Sequence, residues 1–347
     1  LALAGAWPSG LTAPAKAKLV FTDINGKNHA PFASAKTKAV VFLFLLRDCP
    51  VSNVYTPELT RIHREYSGKG VSFYLVHPDR DTDAMITWLR ERETTRPFCS
   101  VISWYPPHDP FSCPLDTMDH YRRMGVPCPG YYGSVTALDR CVGRIMAALE
   151  ETGQAGNTIV FYYSDHGETF RARDGVTSKF VCTEDSVHVP FLMRGPGIAD
   201  NLVIDELIGL QDLMPTMLDI AGGAAPADLQ GRSLMPLIRG EAPDWRDIAY
   251  IENETHNIMR DSDADPRARR RQRAVFDGRH KLILEDGQAI LFDLAVDPEE
   301  RIDVSAANPA EVARLAGRLG AEAARLDDPL GCKLAEAALG GRAALAS

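Results

Sequence analysis

The chain has no apolar run of about 18 residues, and that absence excludes a transmembrane helix. It has no basic excess either: 38 Lys and Arg stand against 47 Asp and Glu, for a net charge of −9. An acidic balance provides no electrostatic footprint for nucleic acid. The one basic cluster, Arg267–Arg273, is isolated and reads as an exposed loop face. The seven cysteines show no paired short spacings, which argues against both a zinc cluster and a disulfide framework. Internal repeats are absent, and no Gly/Ser-rich or Pro-rich linker divides the chain. The biased segment is the alanine-rich stretch 306–346, composed mostly of helix formers. What remains is a chain of 347 residues with 45% hydrophobic content, enough for two domains with sizeable cores.

The most informative stretch is Asn157–Glu168, N-T-I-V-F-Y-Y-S-D-H-G-E. A short β-branched and aromatic run, Thr158 to Tyr163, stops at Ser164-Asp165-His166-Gly167-Glu168. Such a run suits a strand buried on both faces of a parallel sheet. Ligand sites in open α/β sheets lie at the carboxyl ends of strands. An Asp and a His placed there, beside a glycine that lets the backbone turn, are positioned to hold a metal. The plainer alternative makes Asp165 a helix cap and His166 a polar turn residue.

Other motifs stand around it in a definite order. Upstream, Trp104-Tyr105-Pro106-Pro107-His108-Asp109-Pro110-Phe111 follows the apolar run Phe98–Ser103, which reads as a strand fed by a short helix near Trp88. Tyr131–Asp139 opens a helix that runs to about Glu151. Downstream come Lys179, a Thr183–Ser186 stretch that suits a helical turn, a strand-like Val187–Arg194 and Gly195-Pro196-Gly197. Glu184 and His188 lie close by in sequence. Arg273–Ile283 and Leu291-Phe292-Asp293-Leu294 read as antiparallel strands, followed by a helix over about Pro309–Leu326.

This ordered set resembles the type I sulfatases of the alkaline-phosphatase superfamily, over roughly residues 85–325. The resemblance implies an α/β fold, a sheet flanked by helices with a small antiparallel C-terminal subdomain. It also implies hydrolysis of a sulfate ester, of a small molecule or a glycan, at a divalent cation. By position, Asp165 and His166 match the metal ligands, Lys179 the lysine that contacts sulfate, and His108 the substrate-side histidine. Calcium is the metal the family implies. An imidazole ligand suits manganese or zinc better, since calcium prefers oxygen. Relatives that cleave phosphate or phosphonate esters share the Asp-His pair, so the ester class stays open. The residue types fit the chemistry: a lysine supplies a point charge, and a histidine can give a proton to a leaving oxygen.

The same family makes its nucleophile, a formylglycine, from the Cys or Ser of a C/S-x-P-x-R motif. None of the seven cysteines lies in one, and no paired aspartates precede residue 98. By inventory, the nucleophile half is missing. The first 80 residues read differently. Strands over Lys18–Ile24, Lys38–Leu46 and Gly70–His77, with an amphipathic helix carrying Val54, Leu59, Ile62 and Tyr66, resemble the start of a thioredoxin-like redoxin. Cys49-Pro50-Val51-Ser52 sits at the strand-to-helix turn, where a helix N-terminus favours thiolate. Ser52 leaves no resolving thiol, so Cys49 offers at most monothiol or peroxidatic chemistry.

The division expected from these readings is a signal-peptide remnant or disordered start over 1–17 and a partial redoxin unit over 18–84. The second part of a sulfatase catalytic domain follows over 85–245, then a C-terminal subdomain over 246–330 and an alanine-rich tail over 331–347. Leu1–Ala6 has the look of a signal-peptide end, which would place the protein in the periplasm or outside the cell.

Overall fold

The structure, a computed structural model, describes residues 21–22, 27–30, 39–44, 60–61, 63–65, 71–76, 81–95, 97–109, 111–170, 179–241, 244–254 and 271–340. The chain clusters into two compact units, Leu1–Asn157 and Thr158–Ser347, each described here by itself.

In the first unit, β1 (Phe21–Thr22) pairs antiparallel with β2 (Asn28–His29). The next two strands, β3 (Ala39–Phe44) and β4 (Val71–Val76), run parallel, with Ala39 opposite Val71. A parallel pair requires a long crossover, and the residues described within it, 60–61 and 63–65, are helical. Three helices follow: α1 (Asp81–Glu91), α2 (Leu115–Met124) and α3 (Pro129–Glu151). Gly125 ends α2 in the left-handed conformation, and Pro129 opens α3 where its missing N–H costs nothing. Leu89 of α1 and Leu138, Ile145 and Leu149 of α3 are buried. Phe98–Ser103 forms no strand, contrary to its apolar pattern. Pro97, Pro106 and Pro107 flank it, and proline supplies no ladder donor.

In the second unit, β5 (Val160–Tyr163) pairs antiparallel with β6 (Phe191–Arg194). The parallel pairing expected for this run is thereby corrected, as is its burial: Val160, Phe161 and Tyr162 are half-buried and Tyr163 is exposed. Apolar composition reports burial preference but carries no information on strand direction. Between them lies α4 (Glu184–Val187), the helical turn that the sequence suggests. Then come α5 (Leu213–Ile220) and α6 (Met235–Ile238). Asp212, fully buried at the start of α5, accepts from the main-chain N–H groups of Gly209 (2.9 Å) and Arg232 (2.8 Å). Both its oxygens also face the Arg246 guanidinium, at 2.6 and 2.7 Å.

The C-terminal part is a four-stranded antiparallel sheet in the order β10-β9-β8-β7. Its strands are β7 (Ala249–Glu254), β8 (Arg271–Phe276), β9 (His280–Glu285) and β10 (Gln288–Asp293). Alternate residues serve opposite faces. Val275, Leu282, Leu284 and Leu291 pack against Leu315 and Leu319 of α7 (Pro309–Arg325) and Leu334 of α8 (Pro329–Ala338). Ala274, Ile283 and Phe292 pack around the fully buried Cys182 on the other face. Part of the alanine-rich tail is therefore a helix that closes the core.

Arg273 corrects the exposed-loop reading of the basic cluster. It is a buried residue of β8 whose Nη2 lies 3.2 Å from Asp328 Oδ1, beside a Tyr250 hydroxyl that donates to Asp328 Oδ2 at 2.5 Å. Burial opposes ionisation of Asp328, but the bonds from Arg273 and Tyr250 outweigh it and bring the carboxyl from 3.8 down to about 2. A depressed carboxylate pKa contributes stability that is present above the unfolded value and disappears below the folded one. The expected result is loss of stability of this sheet between about pH 4 and pH 2. Asp328→Asn should flatten that part of an acid-unfolding profile, and an unchanged profile would reject the assignment.

Candidate functional site

The Ser164–Glu168 turn follows β5 directly. Gly167 is required there: its N–H donates to Ser186 O at 2.7 Å, and a Cβ would lie 2.2 Å from Asp185 O. Ser164 Oγ donates to His166 O at 2.8 Å, and Asp165 Oδ1 accepts from His166 N at 3.0 Å, so the turn is held by its own polar groups. His166 Nδ1 lies 2.9 Å from Gly167 O. A carbonyl can only accept, so Nδ1 carries a proton, and in the neutral imidazole Nε2 presents a lone pair. That nitrogen sits 3.4 Å from Asp165 Oδ2, whose side chain is 81% exposed. One imidazole nitrogen and one carboxylate oxygen thus face a common point, with the backbone bond to Nδ1 supplying the orienting contact that metal-bound histidines usually have. The pair fits a divalent cation and supplies two of the ligands it needs.

Lys179 is held to the same segment, since Ser186 Oγ donates to its carbonyl at 2.7 Å. The carboxylate of Glu184 meets the His188 imidazole at 2.8 Å and the Lys281 ammonium. Burial raises the Glu184 pKa, but His188 and Lys281 outweigh it and bring the carboxyl down to about 2. Glu184 is therefore a fixed anion near neutral pH. Lys281 is also 2.9 Å from Glu300, and both side chains are fully buried. Glu184 and His188 lie near the site in sequence as well. Lys281 and Glu300 carry no such signal, because a lysine within a strand pattern ordinarily points to solvent.

His108 belongs to the first unit. It is exposed in the Pro-rich turn, its ring 4.6 Å from that of Tyr105 and its Nδ1 2.7 Å from Asp109 O. Cys49 lies outside the described residues, as does its Pro50-Val51-Ser52 turn. Cys182 is no nucleophile: burial pushes its thiol up to about 12.

Among the described residues, three potential metal-ligand atoms within 4.8 Å of one another occur at Asp277, His280 and Glu311. His280 Nδ1 is 3.1 Å from Glu311, beside a cavity of about 350 Å³ that Arg279 and Asp293 also line. The guanidinium of Arg314 pairs with both Asp277 and Glu311, its Nε 3.0 Å from Glu311 Oε2. A cation is already present there in the form of an arginine. This cluster joins α7 to the turn between β8 and β9.

The Sulfatase family model matches residues 22–224, more than half of the chain. The chain belongs to the sulfatase family. A second model, N-sulphoglucosamine sulphohydrolase, C-terminal, matches residues 174–325 of this sulfatase-family chain. An arylsulfatase of Clostridium perfringens is 31% identical over 257 residues, covering 62% of this chain and 50% of that protein. An endo-4-O-sulfatase of Bacteroides thetaiotaomicron is 28% identical over 276 residues, covering 66% and 54%. The chain spans about half the length of the curated relatives it matches.

One solved sulfatase structure, BT33494S-sulf, comes from work on the metabolism of multiple glycosaminoglycans by Bacteroides thetaiotaomicron. It superposes with a TM-score of 0.65 at 25% identity, covering 76% of this chain and 62% of that one. The fold is the alkaline-phosphatase-like α/β fold of sulfatases. The family match begins at residue 22, so it includes much of the segment read as redoxin-like, and the comparisons show no thioredoxin-like unit. A β–α–β unit with parallel strands is common to both folds, which is why the element pattern alone does not separate them. No helix among the described residues is long and apolar enough to cross a membrane.

Proposed function

We propose that the chain takes part in hydrolysis of a sulfate ester at a divalent cation, with sulfated glycans or aryl sulfates as the substrate class. The observation that carries this is the paired presentation of Asp165 Oδ2 and His166 Nε2 at 3.4 Å, on the turn that follows β5 in a sulfatase-family chain. Asp165 and His166 hold the cation, which supplies positive charge to the sulfuryl oxygens when bound. Lys179 adds a point charge to the sulfate, and His108 is assigned the proton donor's role by its sequence match to the family's substrate-side histidine alone. The oxygen ligand of Asp165 is compatible with calcium, and the imidazole of His166 favours manganese or zinc beside it. Residues 85–245 form the catalytic part and 246–330 the C-terminal subdomain.

The chain has no C/S-x-P-x-R motif, so attack here falls to water rather than to a side chain. Hydrolases deprived of their nucleophile retain about 10³-fold over water through binding and electrostatics. The expected result is slow, cation-dependent release of 4-nitrophenol from 4-nitrophenyl sulfate, reduced at least about tenfold in Lys179→Ala. A rate equal to buffer, with or without added cation, would reject hydrolysis by this chain.

A second reading, monothiol redox chemistry at Cys49, has the parallel β3–β4 pair with intervening helical residues in its favour. The sulfatase match across the same segment weighs against it. Alkylation kinetics at neutral pH separate the two, because a thiolate poised at a helix N-terminus reacts faster than an ordinary thiol.

A further inference from the structure

Lys281 of β9 lies on the same face as Ile283, the face that Cys182 covers; Glu300 follows β10 in the chain, and both side chains are removed from solvent. Their contacts converge on one residue. The Lys281 ammonium pairs with the Glu184 side chain, and Glu300 Oε2 accepts from the Glu184 main-chain N–H at 2.7 Å. An ammonium and a carboxylate from the C-terminal part therefore hold both the side chain and the backbone of Glu184. Two further bonds fix the residues just before it. Asn253 Nδ2 donates to Phe180 O at 2.9 Å, and Cys182 N donates to Gln272 Oε1 at 2.8 Å.

The segment so held is the one that supports the candidate site. Ser186 accepts from Gly167 N and donates to Lys179 O, and the Asp185 carbonyl closes against Gly167 where no Cβ would fit. A shift of α4 by about one ångström would break the Gly167 bond, which ties the turn carrying Asp165 and His166 to this segment. A buried ion pair is usually no more stabilising than a well-packed apolar pair of equal volume. Sheet stability alone therefore does not account for charge at these two positions, whereas the hold on Glu184 does.

We propose that Lys281 and Glu300 are positioning residues: they fix Glu184 and, through Ser186, set the Asp165-His166-Gly167 turn and the Lys179 backbone. The consequence for cation affinity rests on the reading of Asp165 and His166 as ligands. The consequence for the turn itself does not.

Two variants test this without leaving an uncompensated buried charge. Glu184→Ala removes the held side chain while the Lys281–Glu300 pair stays neutral overall. Lys281→Met combined with Glu300→Leu removes the hold on both the Glu184 side chain and its main-chain N–H. In both, amide exchange of Gly167 is expected to rise at least about tenfold while β8, β9 and β10 keep wild-type protection. Mn²⁺ affinity, read by the electron paramagnetic resonance signal of the free ion, should fall severalfold. Unchanged exchange at Gly167 in both variants overturns the proposal. So does an equal rise across β8–β10, which marks a general loss of structure. If the wild-type chain binds no Mn²⁺ and Gly167 still loosens, the positioning role stands and the ligand reading of Asp165 and His166 is what fails.

Discussion

Asp165→Ala is expected to lower the Mn²⁺ affinity of the chain at least about tenfold, equivalent to about 1.4 kcal/mol or more. The reasoning is geometric. Asp165 Oδ2 and His166 Nε2 are 3.4 Å apart, and the Nδ1 contact to Gly167 O leaves Nε2 as the acceptor. Removing the carboxylate discards the only anion of the pair and half of its ligand atoms. His166→Asn should act differently: an amide oxygen in place of an imidazole nitrogen weakens Mn²⁺ or Zn²⁺ and spares Ca²⁺. Calorimetric titration with each ion in turn measures both effects. Equal Mn²⁺ affinity in wild type and Asp165→Ala would show that the turn is not the cation site. The Asp277–His280–Glu311 cluster would be the next place to look, although Arg314 already compensates its carboxylates.

The largest expected stability effect lies elsewhere in the same unit, at Asp212. This side chain is fully buried, accepts two main-chain N–H groups and receives the Arg246 guanidinium on both oxygens. Replacement by alanine strands two main-chain and two guanidinium donors at once and leaves Arg246, itself mostly buried, without its counter-ion. Breaking a buried pair by removal of one partner costs about 3–5 kcal/mol. Trp245 provides the probe. Its ring lies 5.0 Å from the Arg246 guanidinium, and its indole N–H donates to Leu207 O at 2.8 Å. Urea unfolding of Asp212→Ala, followed by tryptophan fluorescence, should show the loss. A change below about 1 kcal/mol would mean that water replaces the lost carboxylate, as it does at exposed ion pairs.

Several parts of this protein are legible from its residues. The apolar stretches within Arg273–Ile283 and Leu291–Leu294 mark strands of the C-terminal sheet, and Pro309 with its following helix formers marks α7. Thr183–Ser186 reads as a helical turn and is one. The Ser164-Asp165-His166-Gly167-Glu168 turn is visible because a short apolar run ends in two ligand-type residues and a glycine. These features depend on groups within a few residues of one another, where periodicity and turn chemistry operate.

Other features are not visible at that range. Phe98–Ser103 has strand composition and no strand, because a strand exists only where a partner ladder is available. Composition of the run Thr158–Tyr163 established that it would be a strand, whereas only the tertiary structure decided that its partner β6 runs antiparallel. Arg273 reads as one member of an exposed basic cluster, yet Asp328, 55 residues away, draws it into the interior. Lys281 lies 97 residues from Glu184, and Glu300 lies 116. The sequence by itself determined the local elements and the family. The tertiary structure decided which charges are buried together and what they hold in place, since compensation of a buried charge is settled by proximity in space and leaves no local pattern in the chain.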